Sequence, residues 1–301
     1  MGQDYKSLRD YGCWLNYDPL PGNKYLGKFK TVSVWGAGSL RGAIVSELTR
    51  GLQGLLGEAP ELLVGEEASV VVRREEQGNL GNPEGFRLKV REQQGQLRAV
   101  ISSPGERGLL YGTFAFLRFL QLGEIAPGLD LVDGPRTGLR LINHWDNLDG
   151  SVERGYAGRS IFFRDNQLVD DLERVRDYAR LLASVGINGV AVNNVNVHKE
   201  ETQLIAAKLE MAKTLSAIFR EYGIRLYLSI NFASPLEFGL DTADPLEPAV
   251  QEWWQRRTAE VYRAIPDLGG FLVKADSENR PGPFTYGRSH AEGANMLARA
   301  V

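Results

Sequence analysis

The chain has 301 residues, 43% of them hydrophobic and 24% charged, with a formal net charge of -3. This is globular composition with length for two domains, and it gives no electrostatic case for nucleic acid or an anionic membrane. A lone cysteine, Cys13, excludes an internal disulfide, and neither a signal-like apolar run nor a stretch near the roughly 20 residues that span a bilayer is found, so a cytoplasmic protein is expected.

The first 135 residues read as a mixed α/β domain. Residues 39 to 54 place Leu40, Ile44, Leu48 and Leu52 four apart, which predicts an amphipathic helix. Leu62 to Val64 and Val70 to Val72 are short β-rich runs. Phe86 to Val90 and Leu97 to Ser102 flank Gln94-Gly95, a hairpin signal. Gly108 to Leu122 is apolar and of helix length, and Gly134-Pro135 is the expected boundary.

From residue 136 to 301, strand-like runs alternate with amphipathic helices. The expected strands are Leu139 to Trp145, Gly189 to Asn193, Arg225 to Asn231 and Gly270 to Lys274. The expected helices are Val169 to Ser184, Leu204 to Tyr222 and Pro248 to Ile265, and residues 291 to 301 read as the opening of another. Such alternation predicts parallel βαβ units, either an open doubly wound sheet or a (β/α)8 barrel. No glycine-rich phosphate loop follows any of these strands, and the lone Gly-x-Gly of WGAGSLRG lacks the context for dinucleotide binding. About four of the eight barrel units are present, which suggests a piece of a longer protein.

Polar residues crowd the carboxyl ends of all four strands, where a barrel keeps its chemistry. His144, Trp145, Asp146, Asn147, Asp149, Glu153 and Arg154 follow the first; Asn193, Asn194, Asn196, His198 and Lys199 follow the second. Asn231 ends the third, and Lys274, Asp276, Ser277 and Glu278 end the fourth. Lys274, Asp276 and Glu278 share parity, so an extended backbone would turn all three to one side. A carboxylic acid there could protonate a leaving oxygen. The bland alternative pairs Lys274 with Asp276 and leaves Glu278 on the surface. Trp145 suits either a sugar platform or a core. Trp253-Trp254 and Cys13 read as buried packing. His144 and His198 are not spaced as metal ligands, no HExxH occurs, and no Gly-x-Ser-x-Gly marks a serine hydrolase.

Four stretches carry a resemblance: LRLINHWDNLDGSVERGYAGRSIFF from Leu139, YARLLASVGINGVAVNNVNVHK from Tyr178, LSINFASP from Leu228 and GGFLVKADSENRPGPFTYGRSHAEGANMLA from Gly269. They are similar to the matching segments of family 67 glycoside hydrolases, the xylan α-1,2-glucuronidases. The resemblance covers essentially the whole chain and is weakest before residue 100. It implies an N-terminal α/β domain over 1–135 and, over 136–301, the first half of a catalytic (β/α)8 TIM barrel. A helical C-terminal domain carrying dimer contacts would follow in the whole protein.

The resemblance also implies hydrolysis, with inversion, of the α-1,2 bond between 4-O-methylglucuronic acid and the terminal xylose of xylo-oligosaccharides, with no metal or organic cofactor. By position, Glu278 would be the general acid, Lys274 would contact the uronate and Trp145 would lie beside the 4-O-methyl group. Val195 or Val197 would share that apolar sheath, and Asp146, Glu153, Arg154, Asn194 and His198 would hydrogen-bond the sugar. Inversion needs a second carboxylate roughly 6.5 to 9.5 Å from the acid. The family carries it on later strands than this sequence holds, so the isolated chain is expected to be inactive. Two other readings stay open: a non-catalytic sugar-binding remnant, and a metal-assisted barrel enzyme.

Overall fold

The computed structural model describes residues 13–75, 82–277 and 279–301. These group into two compact units. One holds the residues up to Arg140 with 177–187 and 221–223; the other holds 141–176, 188–220 and 224–301.

The elements of the first unit run β1 (Thr31–Trp35), α1 (Arg41–Leu56), β2 (Glu61–Leu62), β3 (Val70–Arg74), β4 (Phe86–Gln93), β5 (Gln96–Ser103), α2 (Glu106–Gln121) and β6 (Asp130–Asp133). The six strands form one sheet in the order β2-β1-β3-β5-β4-β6. β2, β1, β3 and β5 are parallel, whereas β4 runs antiparallel to β5 and β6. The three valines of β3 are all buried, the continuous apolar run a central strand needs. The β4–β5 turn is two residues long, and both of them, Gln94 and Gly95, have positive φ, as a type I′ hairpin requires.

Two glycines set the depth of the helices. A Cβ on Gly51 would come within 2.6 Å of Leu117, so α1 and α2 meet there. A Cβ on Gly112 would come within 2.6 Å of Ile101, which lets α2 lie close on the sheet. β6 has no clear sequence signal, because only Leu131 and Val132 in it are apolar. Cys13, expected to be buried, is exposed.

Helix α3 (Glu173–Ser184) gives its second half to the first unit. Arg180 is buried there and donates through Nε to both oxygens of Glu47, at 2.9 and 2.7 Å. Tyr17 donates its hydroxyl to the same carboxylate at 2.5 Å, and Arg180 Nη1 donates to the Leu15 carbonyl at 2.8 Å. A single charged Nε–H is thus shared between the two oxygens of the buried carboxylate. Burial, then the Glu47 charge, pushes the Tyr17 hydroxyl far above its ordinary range; the same two causes push Tyr222 up to about 12.

The second unit contains β7 (Leu141–Asn143), β8 (Phe163–Arg164), β9 (Gln167–Leu168), the start of α3, β10 (Gly189–Val192), α4 (Leu209–Arg220), β11 (Arg225–Asn231), α5 (Ser234–Glu237), α6 (Pro248–Ala264), β12 (Gly270–Lys274) and α7 (His290–Ala300). β7, β10, β11 and β12 form a wholly parallel sheet in chain order. The spans of β11 and β12 match expectation. β7 is shorter and leaves Trp145 outside the strand. α4 begins only at Leu209, because a 3-10 turn over Glu201–Ile205 ends at Ala206 with φ -140 and ψ -109. Trp253 and Trp254 are buried and meet edge to face at 4.8 Å, as core residues.

Arg180→Met is expected to lower unfolding free energy by about 3–5 kcal/mol, because Glu47 would stay buried with the Tyr17 hydroxyl but with no cation to balance its charge. A shift of the urea midpoint at constant slope checks this. Tyr17 and Tyr222 have folded values above their unfolded value. Their contribution is therefore complete below the unfolded value of about 10 and is lost as pH rises through the folded values. Stability is expected to fall above about pH 10, and less steeply in Tyr17→Phe, as read by denaturation across alkaline pH.

Candidate active site

The strand ends of the second unit are tied together by asparagines. Glu153 sits in the loop after β7 with φ +56, a backbone state that side chains rarely take. Three bonds hold it there. Its N–H donates to the Trp145 carbonyl at 2.8 Å. Its carbonyl accepts from Asn147 Nδ2 at 2.7 Å and from Asn194 Nδ2 at 3.4 Å. Asn194 Oδ1 accepts from the Asn196 N–H at 3.0 Å, and Asn196 Oδ1 accepts from Lys274 Nζ at 2.7 Å. Asn231 Nδ2 donates to the Val197 carbonyl at 3.3 Å. Loop and strand tips from β7 to β12 thus share one hydrogen-bond network.

A cleft of about 770 Å³ opens beside this network. Asn147, Glu153, Arg154, Asn196, His198 and Lys199 are among its lining residues. The Glu153 side chain keeps only 9% of its surface, and its Oε1 lies 3.6 Å from the exposed Arg154 guanidinium. Its Oε2 is buried without a hydrogen-bond partner, as are Asn147 Oδ1, Asn193 Oδ1 and Ser229 Oγ. Such atoms are costly unless something polar meets them, and of these residues Asn147 and Glu153 line the cleft. Lys274 brings a buried cation to the same network. Asp149 is held below the usual carboxylate range by hydrogen bonds from the hydroxyl and the backbone of Ser151.

Residues 119–301 match the Glycosyl hydrolase family 67 middle domain, and residues 13–116 match the Glycosyl hydrolase family 67 N-terminus. The chain belongs to glycosyl hydrolase family 67. It is 40% identical over 314 residues to "Alpha-glucuronidase A" of Emericella nidulans, an alignment that covers 96% of this chain and 36% of that protein. It is 47% identical over 219 residues to "Probable alpha-glucuronidase A" of Aspergillus fumigatus, with 72% of this chain and 25% of that protein covered. The chain therefore spans about a third of the length of the relatives it matches end to end.

Two solved structures share its fold. One is a family GH115 4-O-methyl-alpha-glucuronidase with specificity for decorated arabinogalactans, at TM-score 0.60 and 15% identity, covering 91% of this chain and 39% of that one. The other is a beta-N-acetylhexosaminidase from Bacteroides fragilis, at TM-score 0.56 and 12% identity, covering 95% and 60%.

The residues that the family 67 resemblance singles out fall in different settings. Trp145 is 43% exposed and stands clear of the core. Asp146 is buried: its carboxylate lies 3.4 Å from His144 Nδ1, and its carbonyl accepts from the Asn194 N–H at 2.7 Å. His198 is exposed, with Arg280 Nη2 at 3.4 Å from Nδ1. Val197 is fully buried at φ +29, so of the two valines only Val195 keeps surface. Glu278 lies outside the described residues.

The parity argument at the fourth strand fails. β12 ends at Lys274, and Asp276 has φ +47, so the chain turns instead of running on extended. The Asp276 carboxylate meets the Phe284 N–H at 3.1 Å and His290 Nε2 at 3.0 Å. Sequence reasoning missed Glu201, whose buried Oε1 accepts the Leu148 N–H at 3.1 Å. It lies in a Lys-Glu-Glu run that reads as solvated surface.

Asn147→Ala is expected to lower stability by about 1–3 kcal/mol, since the Glu153 carbonyl loses its shorter bond in a buried place. Chemical denaturation measures it. A change no larger than that of an ordinary surface substitution would show that Asn147 does not hold this loop.

Proposed function

We propose that the chain forms the uronate-binding and proton-donating part of an α-glucuronidase that cleaves the α-1,2 bond between (4-O-methyl)glucuronic acid and the terminal xylose of xylo-oligosaccharides. The observation that carries the reading is the hydrogen-bond network at the ends of parallel strands, which ties the buried Lys274 through Asn196 and Asn194 to the loop of Glu153, with Asn196 and Glu153 both lining one cleft. The alpha-glucuronidase names of the relatives point the same way. A uronate is a planar anion among hydroxyls. Lys274 and Arg154 supply cations for it, and Glu153, Asn147, Asn194 and His198 supply hydroxyl partners. Trp145 offers an exposed ring to the 4-O-methyl side, and Val195, which keeps surface, would share that apolar sheath.

In this reading the sheet is the first half of a (β/α)8 barrel. The strand order runs through β7, β10, β11 and β12 without reversal, so the described sheet lacks the switch point of a doubly wound fold. Glu278, four residues past Lys274, would be the general acid. It would give its proton to the xylose oxygen as the bond to the uronic sugar breaks. A carboxylate from elsewhere in the whole protein would take a proton from the water that attacks the opposite face, so the configuration inverts. The substrate, the dimer and the need for no cofactor are proposals for that whole protein.

Glu278→Gln in the full-length enzyme is expected to lower kcat on aldouronic acids by roughly 10²- to 10⁴-fold. Substrates whose leaving group needs no proton, such as nitrophenyl glucuronides, should lose much less. Equal loss on both would rule out the acid role.

A further inference from the structure

We propose that Tyr156 is a platform for the xylose units that lead away from the uronic sugar, and so sets the enzyme's preference for chain length. The inference rests on the glucuronidase reading above. Tyr156 is 77% exposed. A lone exposed aromatic is ordinary in itself, and its place is what matters. It directly follows Arg154 and Gly155, both of which line the cleft.

The loop that presents it is held firmly. A bridge between Ser151 and Arg159 and a bond from the Ser160 N–H to the Gly150 carbonyl at 2.9 Å close its base. The Glu153 network fixes its inner side. Gly155 and Gly158 flank the tyrosine at φ +90 and +98, and a Cβ on either would meet nothing within 4 Å. Conformation, not crowding, therefore calls for glycine, and the turn it allows leaves the ring outside.

Among the described residues, the Tyr156 ring and hydroxyl make no hydrogen bond or ring contact. Phe284, also exposed, differs: it stacks on His290 at 4.2 Å. The cleft, at about 770 Å³, sits within the span of about 300–1,000 Å³ that takes a ligand much larger than one sugar ring. In this proposal a chain held at the strand ends passes Tyr156 as it leaves the cleft. Xylose has no exocyclic hydroxymethyl group, so its C–H face can lie flat on a ring. A tyrosine gives that face a rigid apolar body while keeping its hydroxyl in water.

The test compares KM and kcat of the full-length enzyme and its Tyr156→Ala and Tyr156→Phe variants on glucuronosyl xylo-oligosaccharides of increasing length, starting from a single xylose. Tyr156→Ala should raise KM for the longer substrates by roughly fivefold or more relative to the shortest, with kcat little affected, and Tyr156→Phe should keep the wild-type length profile. An Ala effect equal at every length, or absent at every length, overturns the platform. Wild-type enzyme that cleaves none of the series overturns the glucuronidase reading itself, and the platform falls with it.

Discussion

The backbone of Glu153 is the point on which the second unit's site depends. A non-glycine residue at φ +56 persists only where its surroundings over-determine it. Here both of its peptide groups are held, by Trp145 on one side and by Asn147 and Asn194 on the other. Asn194 is then tied through Asn196 to Lys274. A carboxylate on one loop and an ammonium on a strand three places away in the sheet are thereby kept in one frame.

This frame follows from parallel geometry. All strands of a parallel sheet end on the same side, so the chain turns away four times at one end of the sheet. Their last backbone groups have no neighbours to continue the ladder, and an asparagine amide, with both donors and an acceptor, can stand in for the missing peptides. The amides of Asn147, Asn193, Asn194 and Asn231 meet backbone groups in this way, whereas that of Asn196 meets Lys274. The amides also leave capacity unused. Asn147 Oδ1 and Asn193 Oδ1 are buried without a hydrogen-bond partner, as are Glu153 Oε2 and Ser229 Oγ. A polyhydroxylated ligand suits such a place, because it brings many small donors at once.

The first unit solves a different problem by related means. Its buried charge is concentrated in Glu47, which is met by Arg180 and Tyr17. A buried pair of this kind adds little over an apolar contact of the same shape, but losing one partner is severe. Arg180 lies in the part of α3 that groups with the first unit, whereas the start of that helix groups with the second. The helix cannot be assigned to one unit from its amphipathic pattern alone.

What the sequence determined was local or periodic. The spans of β11 and β12, the two-residue turn at Gln94-Gly95, the burial of Trp253 and Trp254 and the polar strand tips follow from alternation, turn chemistry and apolar runs, which each stretch carries by itself. The motifs from HWDN to KADSE likewise pointed to the family. Tertiary structure alone decided which polar residues meet. Arg180 and Glu47 are 133 positions apart, and Lys274 and Asn196 are 78 apart. No local pattern couples residues at such distances; only packing brings them together. It also decided that Asp276 meets Phe284 and His290 and that Val197 is core, since a single positive φ at the end of an element redirects every side chain after it.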